Sequence, residues 1–508
     1  MAGGGYRIVL TAERCMMSDY HGSLFLGFCA CAPRNLWHPL FYFRFLCPSA
    51  PTHDGGKAKL APYGLRKIEA ALINYGFSKS DVVVAHPDKV RKFIGPETRV
   101  IGITSNDPLG KGPASTTFAG ETGFFRSEPY DAWKFRELVS DSKLKRWGAR
   151  VVVGGPGSWQ LEDEEARRKL GIDVVVVGEG ERVVPPIFEK IVNGENLEGV
   201  FYGDVVEVEH MYRILGGTVG GLVEVARGCG RGCRFCIPTL LRFRSRPLED
   251  ILAEIRVNVK AGQHAICLHA EDILRYKANG LHVKPEAVRE LFSAAAKMDG
   301  VKNVNLSHFA LASAVEKPGL LKEISEIVGV GEKDRPWISG QTGIETGSPR
   351  MIELNMPGKV KPFKPEEWPD LVEQAFGVCQ DSLWVPCGTL VLGLPNETEE
   401  DVYLTIELVD RLKPYKSIIV PLFFVPIGSL KSKQGFSVKD MKPCHWELIL
   451  ACWDHGMNWA EELATEYVFK MPRLAKTYVM NFVKKVVRRI SRKARKEIIR
   501  MVEEASGK

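Results

Sequence analysis

The chain lacks the features that mark a membrane-spanning or secreted protein. No stretch of about eighteen residues is both apolar and uncharged, so the sequence predicts no membrane-spanning helix. The stretch 23–47 comes nearest to such a run, and prolines, a histidine and arginines interrupt it. The opening residues do not resemble a signal peptide. The twelve cysteines show no paired framework, which fits a reducing, cytoplasmic compartment.

Glutamine is also scarce, with six residues among 508, whereas lysine, arginine and glutamate are abundant. This composition is typical of thermophilic proteins. The hydrophobic share of 45% and the charged share of 26% are ordinary for a globular protein. A chain of this length has room for roughly two or three domains.

The net charge of +7 is concentrated near the C-terminus, because residues 484–500 alone carry +8. Basic side chains alternate there with apolar residues that recur every three or four positions, namely Val479, Phe482, Val483, Val486, Ile490, Ala494 and Ile498. A basic amphipathic helix of this kind is typical of a contact with a membrane surface. The alternative is a helix that packs on the protein with a solvated basic face.

Three cysteines share one glycine-rich loop with the spacing C-x3-C-x2-C, namely Cys229, Cys233 and Cys236. Three thiolates on a tight loop can face one metal cluster, and they leave one iron of a four-iron cluster open. A disulfide would leave the third cysteine unpaired, and no histidine or cysteine follows in 237–261 to complete a zinc site. The loop therefore predicts an iron–sulfur cluster with an open position.

Valine-rich strands alternate with amphipathic helices in the first part of the chain. The strands are predicted at 7–11, 82–85, 100–103, 151–153 and 174–177, and the helices at 60–75, 132–147 and 163–170. Continuous apolar strands separated by helices indicate an α/β fold with a doubly wound, Rossmann-like parallel sheet. We predict that this domain covers residues 1–205.

The cysteine loop, with Phe235 before its last cysteine, resembles the radical S-adenosylmethionine (SAM) superfamily. The resemblance implies that Cys229, Cys233 and Cys236 bind a 4Fe–4S cluster whose open iron binds SAM. It further implies that an electron from the cluster cleaves SAM to a 5′-deoxyadenosyl radical, which abstracts a hydrogen atom from a substrate. A ferredoxin-like reductant protein is the expected partner.

A second series of βα units follows the loop. Its strands are predicted at 265–269, 304–308, 337–347, 388–393 and 417–421, and the strand before the loop makes six. Six such units match the partial (β/α)6 barrel of radical SAM proteins, whose chemistry lies at the strand C-termini. We predict this barrel over residues 206–430 and a helical C-terminal region over residues 431–508.

The resemblance also assigns residues at the strand ends to the SAM site. Glu271 is expected to meet the amino group of SAM, with a role at a helix start as the alternative. Asn305 and Ser307 share one face of their strand, whereas His308 points the other way, so the first two are the candidates for the barrel interior.

Two later segments complete the predicted SAM site. Residues 343–348 resemble the segment that places SAM in this family, with Glu345 and Ser348 as hydrogen-bonding residues. Helix capping is the alternative role of Ser348. Gly393 opens a Gly-Leu-Pro-x-Glu-Thr segment that resembles the late-barrel signature of the same families and is expected to shape the adenine pocket.

Glycine turns follow two strands of the first domain, at Gly154 and Gly155 and at Gly178 and Gly180. Open α/β sheets bind ligands at such strand ends, and tight turn geometry is the alternative explanation. Together the turns resemble the cobalamin-binding-type domain that precedes many radical SAM domains. The cobalt-ligand motif D-x-H-x-x-G of that domain is not met around His21, so bound cobalamin is expected to lack a protein histidine ligand, and a scaffold role is the alternative.

The expected substrate is hydrophobic. The apolar stretch 23–47 and the basic tail favour a peripheral contact with the inner membrane face, and residues 107–116 resemble a segment of archaeal members that include tetraether-lipid-modifying enzymes. The sequence thus favours ring formation or C–C cross-linking on isoprenoid lipid chains. The alternative is cobalamin-dependent methyl transfer to a small molecule or peptide.

Two further expectations concern nucleic-acid partners and the remaining cysteines. Nucleic acid is a less favoured partner, because the basic charge is confined to one helix without stacking aromatic residues. The other cysteines, among them Cys29, Cys31 and Cys47, are predicted to be core residues, and an auxiliary cluster is the alternative.

Overall fold

The computed structural model describes residues 4–22, 24–237, 242–332 and 335–467, together with 495, 496, 499–501 and 503. It forms two compact units. The first unit comprises residues 1–225, 246–267 and 297–303, and the second unit comprises residues 226–245, 268–296 and 304–508. The apolar residues of the predicted tail helix, Val479 to Ile498, lie outside the described residues.

The first unit alternates strands and helices along the chain. Its elements are β1 (Ile8–Ala12), α1 (Pro39–Phe41), β2 (Leu60–Ala61), α2 (Tyr63–Tyr75), β3 (Val82–Val84), β4 (Val100–Thr104), α3 (Pro113–Phe118), α4 (Tyr130–Val139), β5 (Arg150–Gly154), α5 (Glu164–Leu170), β6 (Val174–Gly178), α6 (Val184–Val192), β7 (Gly199–Gly203), β8 (Gly217–Thr218), β9 (Leu222–Glu224) and α7 (Leu248–Lys260).

Six of these strands form a parallel sheet in the order β3-β1-β4-β5-β6-β7. Successive residues of β1 enter opposite layers of the core. Ile8 packs in the cluster that contains Phe188 of α6, and Val9 packs in the cluster that contains Phe135 of α4. Both faces of the sheet are therefore covered by helices, which confirms the doubly wound prediction. The sequence interpretation missed β7.

The second unit begins with the strands on either side of the cysteine loop. Its elements are β10 (Ala226–Arg227), β11 (Arg244–Ser245), β12 (Ala265–His269, which starts in the first unit), α8 (Pro285–Ala296), β13 (Asn303–Leu306), α9 (Leu311–Glu316), α10 (Pro318–Ile327), β14 (Ile338–Glu345), α11 (Pro349–Asn355), α12 (Trp368–Asp381), β15 (Trp384–Leu392), α13 (Glu399–Arg411), β16 (Ile418–Phe423) and α14 (Pro443–Tyr467).

The predicted six-stranded half-barrel is present as two sheets, β13-β12-β9 and β14-β15-β16. A parallel bridge between His308 and Gln341 joins the two, because the Gln341 amide donates to Ser307 O at 2.8 Å and the Phe309 amide donates to Gln341 O at 3.1 Å. The ends of β12 and β13 therefore meet beside Gln341 of β14, and this place is the rim of the half-barrel. No helix within the described ranges has both the length and the apolar composition that a bilayer crossing needs.

Candidate cluster and cofactor site

The three cysteines of the C-x3-C-x2-C loop lie between β10 and β11, two short strands that pair antiparallel. The loop is tight because Gly228, Gly230 and Gly232 adopt φ angles of 79°, 70° and 70°, a region that strains residues with a Cβ. The Cys236 amide donates to Cys233 O at 3.1 Å, which closes a turn between these two cysteines.

The three thiols are mostly buried and lie within electrostatic reach of one another. A hydrogen bond from the Cys236 thiol lowers the pKa of Cys233 to about 7, against the opposing effect of burial. The same hydrogen bond, with burial, raises the pKa of Cys236, and burial raises the pKa of Cys229. Converging thiols of this kind match the donor set of an iron–sulfur cluster.

Arg231, between the first two cysteines, anchors the loop. Its guanidinium is buried and donates to Asp272 Oδ2 at 3.2 Å and to Ser313 Oγ at 2.9 Å. It also donates to three backbone carbonyls of the segment after α11, at Gly358, Lys359 and Lys361. One planar, permanently charged group thus joins the loop to a buried carboxylate and to a distant loop.

Arg275 holds the other side of the loop by donating to Cys229 O at 2.6 Å and to Gly280 O at 2.5 Å. A close backbone approach holds the end of the loop, since a Cβ on Gly428 would overlap Cys236 O. The loop is therefore positioned mainly through its backbone, and the thiols stay available for a metal.

Lys359 supplies positive charge beside the thiols. Its Nζ donates to Glu345 Oε1 at 3.0 Å. Burial alone would lower the pKa of Lys359, but Glu345 and Cys233 outweigh burial and raise it, so the ammonium stays charged. Glu345 adopts φ 67° and also accepts from Thr389 Oγ1 at 3.3 Å. The predicted SAM residue Glu345 therefore reaches the cluster loop through a buried ion pair.

Two histidines at the rim were not assigned a role by the sequence interpretation. His269 ends β12, and its Nδ1 lies 2.8 Å from Ser307 Oγ. The rings of His269 and His308 meet edge to face, with centroids 5.8 Å apart. Burial lowers the pKa of His308, and the nearby Glu271 carboxylate acts in the opposite direction. Glu271, Ser307 and both histidines thus form one polar group at the rim.

The alternation of side chains along a strand did not predict that these residues lie together. β13 ends at Leu306, so the alternation does not extend to Ser307 and His308. Ser307 and His308 both border His269, although they are consecutive. Asn305, inside β13, accepts from Arg335 Nη2 at 3.2 Å. A signal for His269 was available, since it ends a buried strand and the chemistry of barrel enzymes lies at the strand C-termini.

Ser348 and Gly393 have protein partners of their own. Ser348 is fully buried, caps α11 by accepting from the Met351 amide and donates to Asp401 Oδ1 at 2.6 Å. Gly393 adopts φ 78°, a Cβ there would also overlap Phe436, and its amide donates to Glu397 Oε2 at 2.8 Å. Ser348 thus has the helix-capping role that the sequence offered as an alternative. Contact of Ser348 or Gly393 with SAM stays a prediction.

Packing explains much of the glycine pattern in the first unit. Gly155 and Gly178 adopt φ angles of 99° and 100°, and a Cβ would overlap Thr104 Oγ1 at the first and Gly203 O at the second. A Cβ on Gly180 would lie 2.8 Å from Ile68 Cδ1, whereas Gly154 has only ordinary neighbours. Turn geometry therefore accounts for the first two glycines, and a ligand contact at all four stays a prediction.

His21 is exposed, and its Nε2 lies 2.9 Å from Phe45 O. Its backbone has φ 57°, in a short 3-10 helix after β1. The ring nitrogen is thus paired with a backbone carbonyl, and the absence of a histidine ligand to cobalt stays a prediction.

The chain is similar to curated enzymes that modify tRNA and ribosomal protein, and no protein-family model matches it. A tRNA-2-methylthio-N(6)-dimethylallyladenosine synthase of Thermotoga petrophila is 24% identical over 381 residues, which cover 74% of each chain. The ribosomal protein uS12 methylthiotransferase RimO of Leptospira biflexa is 28% identical over 202 residues, covering 39% of this chain and 41% of the relative.

Among solved structures, the fold is similar to TsrM, a radical S-adenosylmethionine methyltransferase from Kitasatospora setae determined with cobalamin and a 4Fe–4S cluster. The TM-score is 0.52 at 15% identity, and the match covers 84% of this chain and 74% of TsrM. A second TsrM structure, with tryptophan substrate and a SAM analog, gives a TM-score of 0.54.

The cysteine loop precedes most strands of the half-barrel in the chain, and a doubly wound parallel sheet precedes the loop. In this fold the chain is similar to the radical SAM structure of TsrM, and in sequence it is similar to the tRNA-modifying synthase and the ribosomal protein methylthiotransferase.

Proposed function

We propose that this enzyme binds a 4Fe–4S cluster through Cys229, Cys233 and Cys236, and uses it with SAM to activate a C–H bond. The observation that carries the proposal is the set of three thiols, one buried and two half-buried, on one loop whose backbone is fixed from both sides. When bound, a cluster with one open iron supplies the electron that cleaves SAM to a 5′-deoxyadenosyl radical.

The residues around the loop fit this cofactor pair. Arg231 and Lys359 offset the negative charge that bound thiolates bring into a buried place. Glu271 and Ser307 offer a carboxylate and a hydroxyl at the rim, where the amino and hydroxyl groups of SAM would need acceptors and donors. A ferredoxin-like protein is the proposed source of the electron.

The test is anaerobic reconstitution. Wild-type protein should bind at least about four irons per chain and form 5′-deoxyadenosine from SAM under a strong reductant. The triple variant C229A/C233A/C236A should lose both properties. C267A is the matched control, because Cys267 is a buried cysteine of β12 outside the loop. Undiminished SAM cleavage in the triple variant would contradict the assignment.

For the substrate, we propose transfer of a methyl group to an unactivated carbon of a small molecule or peptide, with cobalamin bound by the first unit. The similarity to TsrM supports this choice, because it extends over 84% of the chain rather than over the barrel alone. Purified enzyme should then contain a corrinoid by absorbance. H21A should keep that corrinoid, and its loss would show that His21 is a ligand.

An isoprenoid lipid substrate is the second candidate, and one structural observation favours it. Large apolar side chains are exposed in a short segment of the first unit, namely Phe28, Leu36, Leu40, Phe41 and Phe45. Such clustering is typical of surfaces that meet a lipid or a partner. Mass spectrometry of lipids that copurify with the enzyme would separate this candidate from methyl transfer to a soluble substrate.

A tRNA substrate has support only from the names of relatives at 22–24% identity. Outside residues 484–500 the chain carries a net charge of about −1. Phosphate contacts dominate the affinity of proteins for nucleic acids and require a basic surface. We therefore place this substrate class behind the other two.

A further inference from the structure

A second set of metal-ligating side chains lies in the first unit. The Cys31 thiol and one carboxylate oxygen each from Asp107 and Asp131 all lie within 4.8 Å of one another. Cys31 ends the 3-10 helix Leu24–Cys31, Asp107 follows β4, and Asp131 is in the first turn of α4. The three donors therefore meet beside the carboxyl end of a central strand, although up to 100 positions separate them in the sequence.

Hydrogen bonds orient both carboxylates. Asp107 Oδ1 accepts from the Gly112 amide at 2.9 Å and from Gln160 Nε2 at 2.6 Å. Asp131 Oδ1 accepts from the Ala132 amide at 2.7 Å, and its Oδ2 lies 3.8 Å from Cys31 Sγ. One oxygen of each carboxylate is thus used by the protein, which fixes the direction of the other. Outer partners of this kind are what position ligands in metal sites.

One buried oxygen at this place, Asp107 Oδ2, has no hydrogen-bond partner within the described part of the chain, and Asp107 is only 5% exposed. The buried Ser115 hydroxyl hydrogen-bonds the Cys31 thiol and so lies beside the same group. Leaving a buried carboxylate oxygen unpaired is unfavourable. A cation bound by Asp107 Oδ2 would remove that penalty.

The three donors can all carry negative charge in a buried place. Burial raises the pKa of Asp131, and the Asp107 and Glu13 carboxylates raise it further. Burial, followed by Asp131 and Asp107, raises the pKa of Cys31. Because metal ligands of this kind bind in the deprotonated form, a divalent ion would take the place of protons on these groups.

We propose that Cys31, Asp107 and Asp131 bind one divalent metal ion of the zinc and ferrous class, with the Ser115 hydroxyl or a water in the fourth position. One thiolate with two carboxylates suits these borderline ions, whereas Mg²⁺ and Ca²⁺ favour oxygen ligands alone. The ion would tie the helix Leu24–Cys31 to the ends of β4 and α4. The site is separate from the proposed radical chemistry and does not depend on it.

The test uses the full chain with C229A/C233A/C236A in every sample, so that no iron–sulfur cluster contributes. Metal-free protein is titrated with Co²⁺ and, separately, with Zn²⁺. We expect one equivalent per chain and a thiolate-to-cobalt charge-transfer absorption. C31S and D131N should each weaken binding at least tenfold. C29S, a cysteine two positions away on the same helix, should bind as before.

Stoichiometric binding that is unchanged in C31S and D131N would overturn the proposal, and so would the absence of binding to folded protein. If either variant fails to fold, X-ray absorption at the zinc edge of the Zn²⁺-loaded parent decides the matter. One sulfur with two or three oxygens supports the site. A shell with several sulfurs, such as the nearby Cys15 and Cys47 would give, refutes it.

Discussion

Arg231 shows how much one side chain can contribute to a cofactor loop. Its guanidinium pairs with Asp272, which is fully buried, and serves three backbone carbonyls as well. A buried ion pair adds little by its mere presence, but removing one partner strands the other charge. Arg231 therefore holds the cysteine loop in place only when all of its hydrogen-bond and ion-pair partners are present.

The first prediction concerns this residue. R231A should destabilise the second unit by about 3–5 kcal/mol, because Asp272 is left as an uncompensated buried charge. For a unit of this size the unfolding midpoint should fall by about 6–20 °C. R231K should recover only part of the lost stability, since an ammonium cannot donate to all five acceptors that the planar guanidinium reaches.

The measurement is the iron content of reconstituted protein together with its thermal unfolding midpoint. R234A is the control, because Arg234 is an exposed arginine of the same loop with one long contact, to Leu354 O at 3.4 Å. Full iron content and an unchanged midpoint in R231A would show that the loop is held by its backbone alone.

At the scale of elements, the start of α13 is tied to the start of α11 by one carboxylate. Asp401 is the third residue of a capping box, with Thr398 as its N-cap. It accepts from Ser348 Oγ at 2.6 Å and from the Arg350 guanidinium. The helix that follows β14 and the helix that follows β15 thus begin at a shared group.

This group gives the second prediction. Burial raises the pKa of Asp401, but hydrogen bonds from Arg350, Ser348 and Thr398 outweigh it and lower the pKa from 3.8 to about 2. For an acid with a lowered folded-state pKa, the stabilisation is present above the unfolded value and lost as the pH falls. Asp401 should therefore stabilise the protein above about pH 4 and cease to do so near pH 2.

D401N should lower stability by about 1–2 kcal/mol at pH 5, the usual scale for loss of a helix cap. The difference from wild type should vanish as the pH approaches 2. Urea unfolding followed by circular dichroism at several pH values measures it. E400Q, which changes an exposed neighbouring acid, should differ little from wild type throughout. A stability difference between D401N and wild type that does not change with pH would mean that the ionised form of Asp401 is not what stabilises the starts of the two helices.

At the scale of the whole molecule, the distribution of exposed apolar side chains is uneven. Leu40 is 77% exposed and Phe45 is 58% exposed, and the rings of Phe41 and Phe45 are 5.1 Å apart. These residues lie beside the buried aromatic group that contains Tyr42 and Tyr130, whose stacked rings have centroids 3.7 Å apart. The exposed apolar side chains thus lie next to a buried and packed aromatic group.

The third prediction follows from this arrangement. Burying a side chain such as Leu40 or Phe45 in a lipid interface is worth about 1.5–3 kcal/mol. L40S/F45S should therefore weaken binding to lipid vesicles at least tenfold, while SAM cleavage persists. The loss should be similar at low and high salt, because an apolar contact is not screened. Vesicle sedimentation measures the binding.

L215S is the matched control, because Leu215 is a 44% exposed leucine elsewhere in the first unit. Binding that depends steeply on salt and survives L40S/F45S would assign the membrane contact to the basic residues 484–500. Absence of vesicle binding at low salt would remove the support for a lipid substrate and leave methyl transfer to a soluble molecule as the better proposal.

The sequence by itself determined the features that depend only on residues close together in the chain. The cysteine spacing, the glycines that close the loop, and the valine-rich strands are properties of short segments, so their consequences could be predicted without a structure. The doubly wound sheet and the half-barrel were predicted correctly for this reason. The short strand β7 was missed because its apolar run, residues 200–202, is only three residues long and lies between two glycines.

Tertiary structure alone decided which distant side chains meet. Arg231 with Asp272, Lys359 with Glu345, and His269 with Ser307 have no fixed spacing that a pattern could detect. In the first unit Lys67, Arg246 and Glu254 form a buried ion-pair network across more than 180 positions for the same reason. Cys31 looked like an ordinary core cysteine, and only the fold brings two oriented carboxylates to it. Burial then raises the pKa of Cys31 and Asp131 and lowers that of Lys67, because desolvation depends on the final packing and not on neighbours in sequence.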